Sequence, residues 1–214
     1  MDQVEDNNFE GTFSVFYCLD EKQQSKIIFG PPELNLYAFA GATDADIQWA
    51  KIPKTKADVD LQWLTQLSSV KFGTQGDVYN PKYNSVVIQV DTGTTDLEID
   101  PMAYTNFLKL AADNGTPCAM ESYKLMCTCK EKDCSDFPTL HMEVNSGNGS
   151  FPLSLESKYT MRHDGQDYKY RLMVQGGQSN KLGGNTVQWV FGQPLFHKYY
   201  TIFDTKDFTI GFIE

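Results

Sequence analysis

The segment Asp91-Thr92-Gly93-Thr94-Thr95 holds the residue types best suited to chemistry in this sequence. It directly follows a β-branched run, so the Asp91 carboxylate is predicted at a strand end, in a tight turn that Gly93 permits. Hydroxyl groups at positions 92, 94 and 95 are suited to donate hydrogen bonds that fix this carboxylate. A carboxylate held in this way is suited to general acid–base catalysis. Taken alone, Asp-Thr-Gly is a motif of only three residues, and it also fits an ordinary turn.

Short β-forming runs, separated by Gly, Asn, Asp and Pro clusters, surround this turn and predict an all-β domain. The clearest runs lie at 13–17, 26–29, 83–90, 140–144, 168–174, 188–191, 199–203 and 208–212. One helix is predicted to begin at Pro101 with Asp100 as its cap, and to end at Asn114-Gly115. The stretch from Leu61 to Phe72 fits a helix or a bulged strand, and periodicity does not decide between them.

Composition limits the classes of function. The chain has 214 residues, 41% of them hydrophobic, and a formal net charge of −10. This length is sufficient for one hydrophobic core. One domain over 13–214 is therefore predicted after a polar segment, 1–12. The acidic balance opposes binding to nucleic acid or to anionic membranes. No run of 18 apolar residues is present, so neither a membrane span nor a signal peptide is expected in this sequence.

Three of the five cysteines, Cys127, Cys129 and Cys134, cluster in a polar loop. We predict a local disulfide within this cluster and no metal. The alternative is a zinc site that uses these thiolates and His141, although the spacing lacks the paired Cys-x₂-Cys pattern of such sites. Two N-glycosylation sequons, at Asn114 and Asn148, fit a secretory protein. No cofactor-binding motif is found, and no cofactor is predicted.

Several motifs occur in order after the Asp-Thr-Gly turn. Trp189-Val190-Phe191-Gly192 is followed by Tyr199-Tyr200-Thr201-Ile202-Phe203-Asp204 and by Ile210-Gly211-Phe212. Before the turn lie Phe13-Ser14-Val15-Phe16-Tyr17, Ile27-Ile28-Phe29-Gly30 and Ile47-Gln48-Trp49, and after it Phe137-Pro138-Thr139-Leu140. This ordered set resembles the C-terminal lobe of pepsin-like aspartic proteases, from about Phe13 to Phe212.

The resemblance implies a single lobe of mixed sheets with one or two short helices, in which 61–72 is a strand. It makes Asp91 one of two catalytic carboxylates, with Thr92 and Thr94 as supporting hydroxyls and Gly192 beneath the turn. It further implies that Tyr37, Thr94 and Thr95 bind substrate, with a packing role as the alternative for Tyr37. In such a site two adjacent carboxylates share a proton, one activates water, and the other protonates the peptide carbonyl.

The sequence departs from the family pattern at several positions. Only one Asp-Thr-Gly is present, and the N-terminal lobe with its own aspartate is absent. Thr95 replaces the usual Ser, and Asp96 replaces an apolar residue. A charge at position 96 is expected to be exposed, or to mark a lobe that has drifted from catalysis. The second cysteine of the family's lobe disulfide has no counterpart in 168–174.

Three functional hypotheses follow. The chain is the catalytic C-terminal lobe of a two-lobed endopeptidase whose N-terminal lobe is missing; or a second copy supplies the other aspartate; or the lobe is a non-catalytic binding or structural module. The first is preferred, with a peptide or protein as substrate and no nucleic-acid partner. The isolated lobe is expected to be inactive. Its expected location is the secretory pathway, a lysosome- or vacuole-like compartment, or the extracellular space.

Overall fold

The computed structural model describes residues 11–19, 24–53, 62–74, 85–177, 180–181 and 185–214. Most of the polar segment 1–12, together with Leu61, Tyr83 and Asn84, lies outside the described residues. Within the described part of the chain, no helix is both long enough and apolar enough to cross a membrane.

A five-stranded antiparallel sheet joins the two ends of the described chain. Its strands, in spatial order, are β2 (Lys26–Phe29), β1 (Thr12–Phe16), β16 (Tyr200–Asp204), β17 (Thr209–Ile213) and β3 (Gln48–Lys51). Alternation along β1 directs Phe13, Val15 and Tyr17 to one face and Phe16 to the other. The sheet therefore has a large core on the first face and a smaller apolar cluster on the second.

The central sheet carries the Asp91 turn. The spatial order of its main path is β10 (Ser150–Leu155), β9 (Leu140–Asn145), β4 (Leu64–Phe72), β5 (Ser85–Val90), β15 (Thr186–Phe191), β6 (Leu97–Ile99) and β13 (Val174–Gly176). An eighth strand, β14 (Asn180–Lys181), pairs with β15. The ambiguous 61–72 stretch is a strand from Leu64 onward, with a register shift between Leu67 and Ser69. This confirms the bulged-strand interpretation.

A four-stranded antiparallel sheet contains the disulfide between Cys118 and Cys127. Its order is β11 (Met161–His163), β12 (Lys169–Leu172), β8 (Lys124–Thr128) and β7 (Cys118–Glu121). Cys118 and Cys127 face each other across the β7–β8 pair and form a disulfide. The opposing positions of an antiparallel pair bring side chains close enough for this bridge.

The predicted helix is α2 (Pro101–Asp113), with Asp100 as its N-cap and Asn114 as its C-cap. The carboxylate of Asp100 accepts hydrogen bonds from the backbone amides of Met102 and Ala103, as well as one from the indole nitrogen of Trp189 at 3.2 Å. These bonds attach the start of the helix to β15. The predicted boundaries are confirmed.

The helical content is low, as the predicted fold class requires. Among the described residues, three short α-helices accompany α2: α1 (Leu34–Tyr37), α3 (Ser157–Thr160) and α4 (Gln193–Lys198). Elements of four to six residues are too short to show a helical period in the sequence, which is why they were missed. The fold is otherwise the expected β-rich lobe built from mixed sheets.

Candidate active site

Two adjacent parallel strands place the site. β5 and β15 run side by side with Val90 opposite Phe191, so the residues that follow them, Asp91 and Gly192, leave the sheet together. The backbone amide of Asp91 donates to the carbonyl of Phe191 at 3.0 Å. Because parallel strands present their carboxyl ends at one sheet edge, Asp91 lies where a polar side chain can reach solvent.

The Asp91 carboxylate is held by both of its oxygen atoms. The amide of Gly93 donates to Oδ1 at 2.8 Å, and the hydroxyl of Thr94 donates to Oδ2 at 2.8 Å. The amide of Thr94 also points at the Asp91 carbonyl, at 3.4 Å. Hydrogen bonds to an ionised carboxylate are short and strong, so this pair of donors fixes the orientation of a half-buried side chain.

The reason for glycine at position 93 differs from the one expected. Gly93 does not adopt the left-handed backbone conformation, so its freedom at positive φ is not what the turn requires. A Cβ atom at this position would instead lie 3.2 Å from Oδ1 of Asp91. Glycine therefore leaves room for the carboxylate to approach the amide that binds it.

Gly192 lies directly beneath the turn, as expected. Its amide donates to the carbonyl of Asp96 at 3.2 Å, and the amide of Gln193 donates to the carbonyl of Thr94 at 2.9 Å. A Cβ atom on Gly192 would lie 2.0 Å from the Thr94 oxygen and 2.7 Å from the Asp96 oxygen. Only glycine permits this approach, which joins the turn to the start of α4.

Thr92 supports the turn through its backbone. Its carbonyl oxygen accepts a hydrogen bond from the phenol of Tyr17 at 3.0 Å. Within the described part of the chain, the hydroxyl that contacts the Asp91 carboxylate comes from Thr94 and not from Thr92 or Thr95. The expectation that three hydroxyls fix the carboxylate is therefore met by one of them.

Tyr17 was missed by the sequence reasoning, which treated it only as the end of a strand. Its ring packs against Phe196 and His197 of α4, with centroids 5.4 and 6.0 Å away. Burial, followed by the charge of Asp91, raises the pKa of the Tyr17 phenol. Alternation along β1 puts Tyr17 on the same face as Phe13, but no sequence signal indicates its bond to the turn.

The predicted substrate-binding residues are not brought together. Thr94 and Thr95 belong to the turn, and Thr95 is exposed. Tyr37 packs against Phe16 and Tyr200, with ring centroids 5.3 and 5.7 Å away, in the smaller cluster on the other face of the five-stranded sheet. Tyr37 is half-buried on α1 and packs against that sheet face, and its role in substrate binding stays a prediction.

Asp96 is neither exposed nor unpaired, so the first of the two alternatives for a charge at this position is wrong. The residue is 7% exposed, and both carboxylate oxygens accept from Nη2 of Arg171, at 3.0 and 3.2 Å. Burial raises the pKa of Asp96, and the Arg171 guanidinium opposes this rise without cancelling it. The Asp91 turn therefore offers one carboxylate to solvent and directs its other one toward an arginine.

A cavity of about 200 Å³ opens beside Asp91. Its walls combine aromatic rings with amide side chains and the backbone of the turn: Phe13, Gln62, Trp63, Gln89, Val90, Asp91, Thr92 and Phe203. Phe13 stacks on Phe203 at 4.6 Å and meets Trp63 edge-on at 5.6 Å. An apolar, partly open surface thus continues directly to the carboxylate.

The cysteine cluster is bridged, with one difference from the prediction. Cys129 and Cys134 form the expected local disulfide. Cys127 pairs instead with Cys118, which lies outside the cluster and was not considered as its partner. All three thiols of the cluster are thereby oxidised, which removes the ligands on which the zinc alternative depended.

Comparison with known proteins gives two findings. A family model described as eukaryotic aspartyl protease matches residues 7–214. Pepsin A of Gallus gallus is 24% identical over 203 residues, a match that covers 93% of this chain and 46% of pepsin A. The chain therefore spans about half the length of this relative.

Proposed function

Because the chain belongs to the eukaryotic aspartyl protease family, we propose that it is the lobe of an aspartic endopeptidase that supplies one of two catalytic aspartates, Asp91. The observation that carries the proposal is the carboxylate of Asp91, which Gly93 and Thr94 hold by separate oxygens at the open end of β5. An ordinary Asp-Thr-Gly turn needs neither this pair of donors nor a glycine packed beneath it.

In the proposed reaction a second carboxylate lies close to Asp91, and the two share one proton because both cannot ionise at short range. The ionised member accepts a proton from water as the water attacks the peptide carbonyl. The protonated member donates its proton to the carbonyl oxygen. The hydrogen bonds from Gly93 and Thr94 keep Asp91 in the orientation that this exchange requires.

The partner that supplies the second aspartate is proposed to be another lobe of the same fold. The surface beside Asp91 supports this assignment, since β2 is an edge strand whose Ile27 and Phe29 are 57% and 66% exposed. Phe13 lies between Phe29 and Trp63 and continues this apolar strip to the cavity. A second lobe seated here would bury the strip and complete a cleft for an extended peptide.

A secretory, lysosomal or extracellular location is proposed on the same basis. The two disulfides are stable in an oxidising compartment. Both sequon asparagines, Asn114 and Asn148, are exposed and therefore accessible to glycosylation.

The test uses the protein with its second lobe present. We expect cleavage of a peptide in the acid range, inhibited by pepstatin and abolished by Asp91→Asn, which keeps the shape of the side chain but cannot ionise. Asp113→Asn, at an exposed position at the end of α2, is the matched control and should retain full activity. Cleavage that persists in Asp91→Asn would refute the catalytic role and favour a binding or structural module.

A further inference from the structure

A salt bridge joins the far end of the Asp91 turn to a different sheet. Asp96 closes the turn that begins at Asp91, since its carbonyl accepts a hydrogen bond from the amide of Gly192. Its side chain is bound by Arg171, which is 75 positions away in sequence and lies on β12 of the four-stranded sheet. Asp96 thus contacts Gly192, beneath the turn, through its backbone carbonyl, and it contacts the four-stranded sheet through its carboxylate.

Arg171 is itself held in place. β12 is an inner strand, paired on one side with β11 and on the other with β8, where Arg171 lies opposite Met126. β8 is joined to β7 by the disulfide between Cys118 and Cys127. Beyond β12 the chain crosses to the central sheet, where the carbonyl of Met173 accepts a hydrogen bond from the amide of Leu97 at 2.8 Å. The guanidinium of Arg171 therefore reaches Asp96 from a strand that is hydrogen-bonded on both sides.

Burial works against the charge that Asp96 brings to this ion pair. Burial raises the pKa of Asp96 in spite of Arg171, so ionised Asp96 is less favourable in the fold than in water. Among the described residues, Tyr104 of α2 also faces Asp96, and the charge of Asp96 adds to the rise in the pKa of its phenol. Replacing a buried ion pair with apolar side chains is often neutral or stabilising. Because the hydrogen bonds of this ion pair are directional, the contact is suited to a role in geometry.

We propose that Asp96 and Arg171 are positioning residues that fix the 91–96 turn on Gly192 and thereby orient Asp91. Apolar side chains would fill the same space, but they would not fix the direction of the Asp96 carbonyl, because packing contacts are non-directional. The consequence for catalysis rests on the proposed function of Asp91. The consequence for the order of the turn does not.

The experiment compares amide hydrogen exchange in this chain and in the double variant Asp96→Leu/Arg171→Met, which leaves neither charge unpaired. We expect the double variant to be as stable as the original in urea, while the amides of Gly192 and Gln193 exchange at least about 10-fold faster. The control is Glu121→Leu/Lys169→Met, which removes an ion pair of β12 with an N–O distance of 2.8 Å away from the turn. These two amides should exchange in the control as in the original chain.

Equal exchange of the two amides in the double variant and the original chain would overturn the positioning role. If the double variant does not fold, Arg171→Lys provides the second test, because it keeps the charge but presents a point donor in place of the planar guanidinium. Unchanged exchange in Arg171→Lys would also overturn the proposal. In the two-lobed enzyme, positioning predicts a lower kcat with little change in KM. Faster exchange in an enzyme without peptidase activity would refute the proposed function and leave the positioning role intact.

Discussion

Gly192→Ala is expected to destabilise the lobe strongly, because the new Cβ has no room. It would lie 2.0 Å from the carbonyl oxygen of Thr94 and 2.7 Å from that of Asp96, where carbon and oxygen need about 3.3 Å. The turn must therefore lift from α4 by more than about 1 Å. This movement strains or breaks two hydrogen bonds, from Gly192 to Asp96 and from Gln193 to Thr94.

The magnitude follows from these two effects. Two hydrogen bonds contribute about 1–3 kcal/mol together, and overpacking costs about 1–3 kcal/mol. The free energy of unfolding should then fall by about 2–6 kcal/mol, a large part of the total for a domain of this size. In urea this corresponds to a midpoint lower by about 1–3 M.

The assay is urea unfolding followed by tryptophan fluorescence, with Gly149→Ala as the matched control. A Cβ at Gly149 would lie 3.9 Å from Oγ of Ser146, an ordinary contact, so its midpoint should be unchanged. If Gly192→Ala unfolds within about 0.3 M of the original chain, the close packing of the turn on Gly192 is wrong, and with it the geometry assigned to the site.

Three further predictions concern the surroundings of the turn. Tyr17→Phe removes the bond to the Thr92 carbonyl and should lower the free energy of unfolding by about 1 kcal/mol, whereas Tyr123→Phe, at a fully exposed position, should not change it. Because the folded-state pKa of Asp96 is raised, its contribution to stability is complete below about pH 3.8 and is lost as the pH rises through the folded pKa. The stability of the original chain relative to Asp96→Asn should therefore fall as the pH rises above about 3.8, and a flat difference would contradict this. Replacing Cys118 and Cys127 by Ala should lower the free energy of unfolding by about 2–3 kcal/mol, and an unchanged melting temperature would show that the bridge does not restrict the unfolded chain.

Local signals in the sequence predicted the parts of the structure that depend on neighbouring residues. The cap at Asp100 and the proline at position 101 set the start of α2, and the structure begins the helix at that residue. The β-branched run before Asp91 set the strand that presents the carboxylate. The contact between Gly192 and the turn, 101 positions from Asp91, followed only from the family resemblance and its ordered motifs.

Contacts between distant residues were not predictable in this way. Arg171 carries no signal that it pairs with Asp96, because an arginine on a strand is equally suited to solvent. The bond from Tyr17 to Thr92 depends on how two sheets meet. The ring contacts of Tyr37 were not predictable either, because a half-buried aromatic residue is equally suited to packing and to binding. Cys127 pairs with Cys118 because of the β7–β8 register, which cannot be predicted from the spacing of the cysteines.

The proposed role of Asp91, as one half of a two-carboxylate site, predicts that this chain alone does not cleave peptides. The most direct measurement is the rate of pepstatin-sensitive peptide cleavage in the acid range, taken across concentrations of this chain at which its oligomeric state has been determined. A lone carboxylate has no partner with which to share a proton, so we predict no cleavage by the monomer. A rate that rises with the square of the concentration would assign the second aspartate to another copy of the chain. Cleavage proportional to the concentration of a proven monomer would contradict the claim.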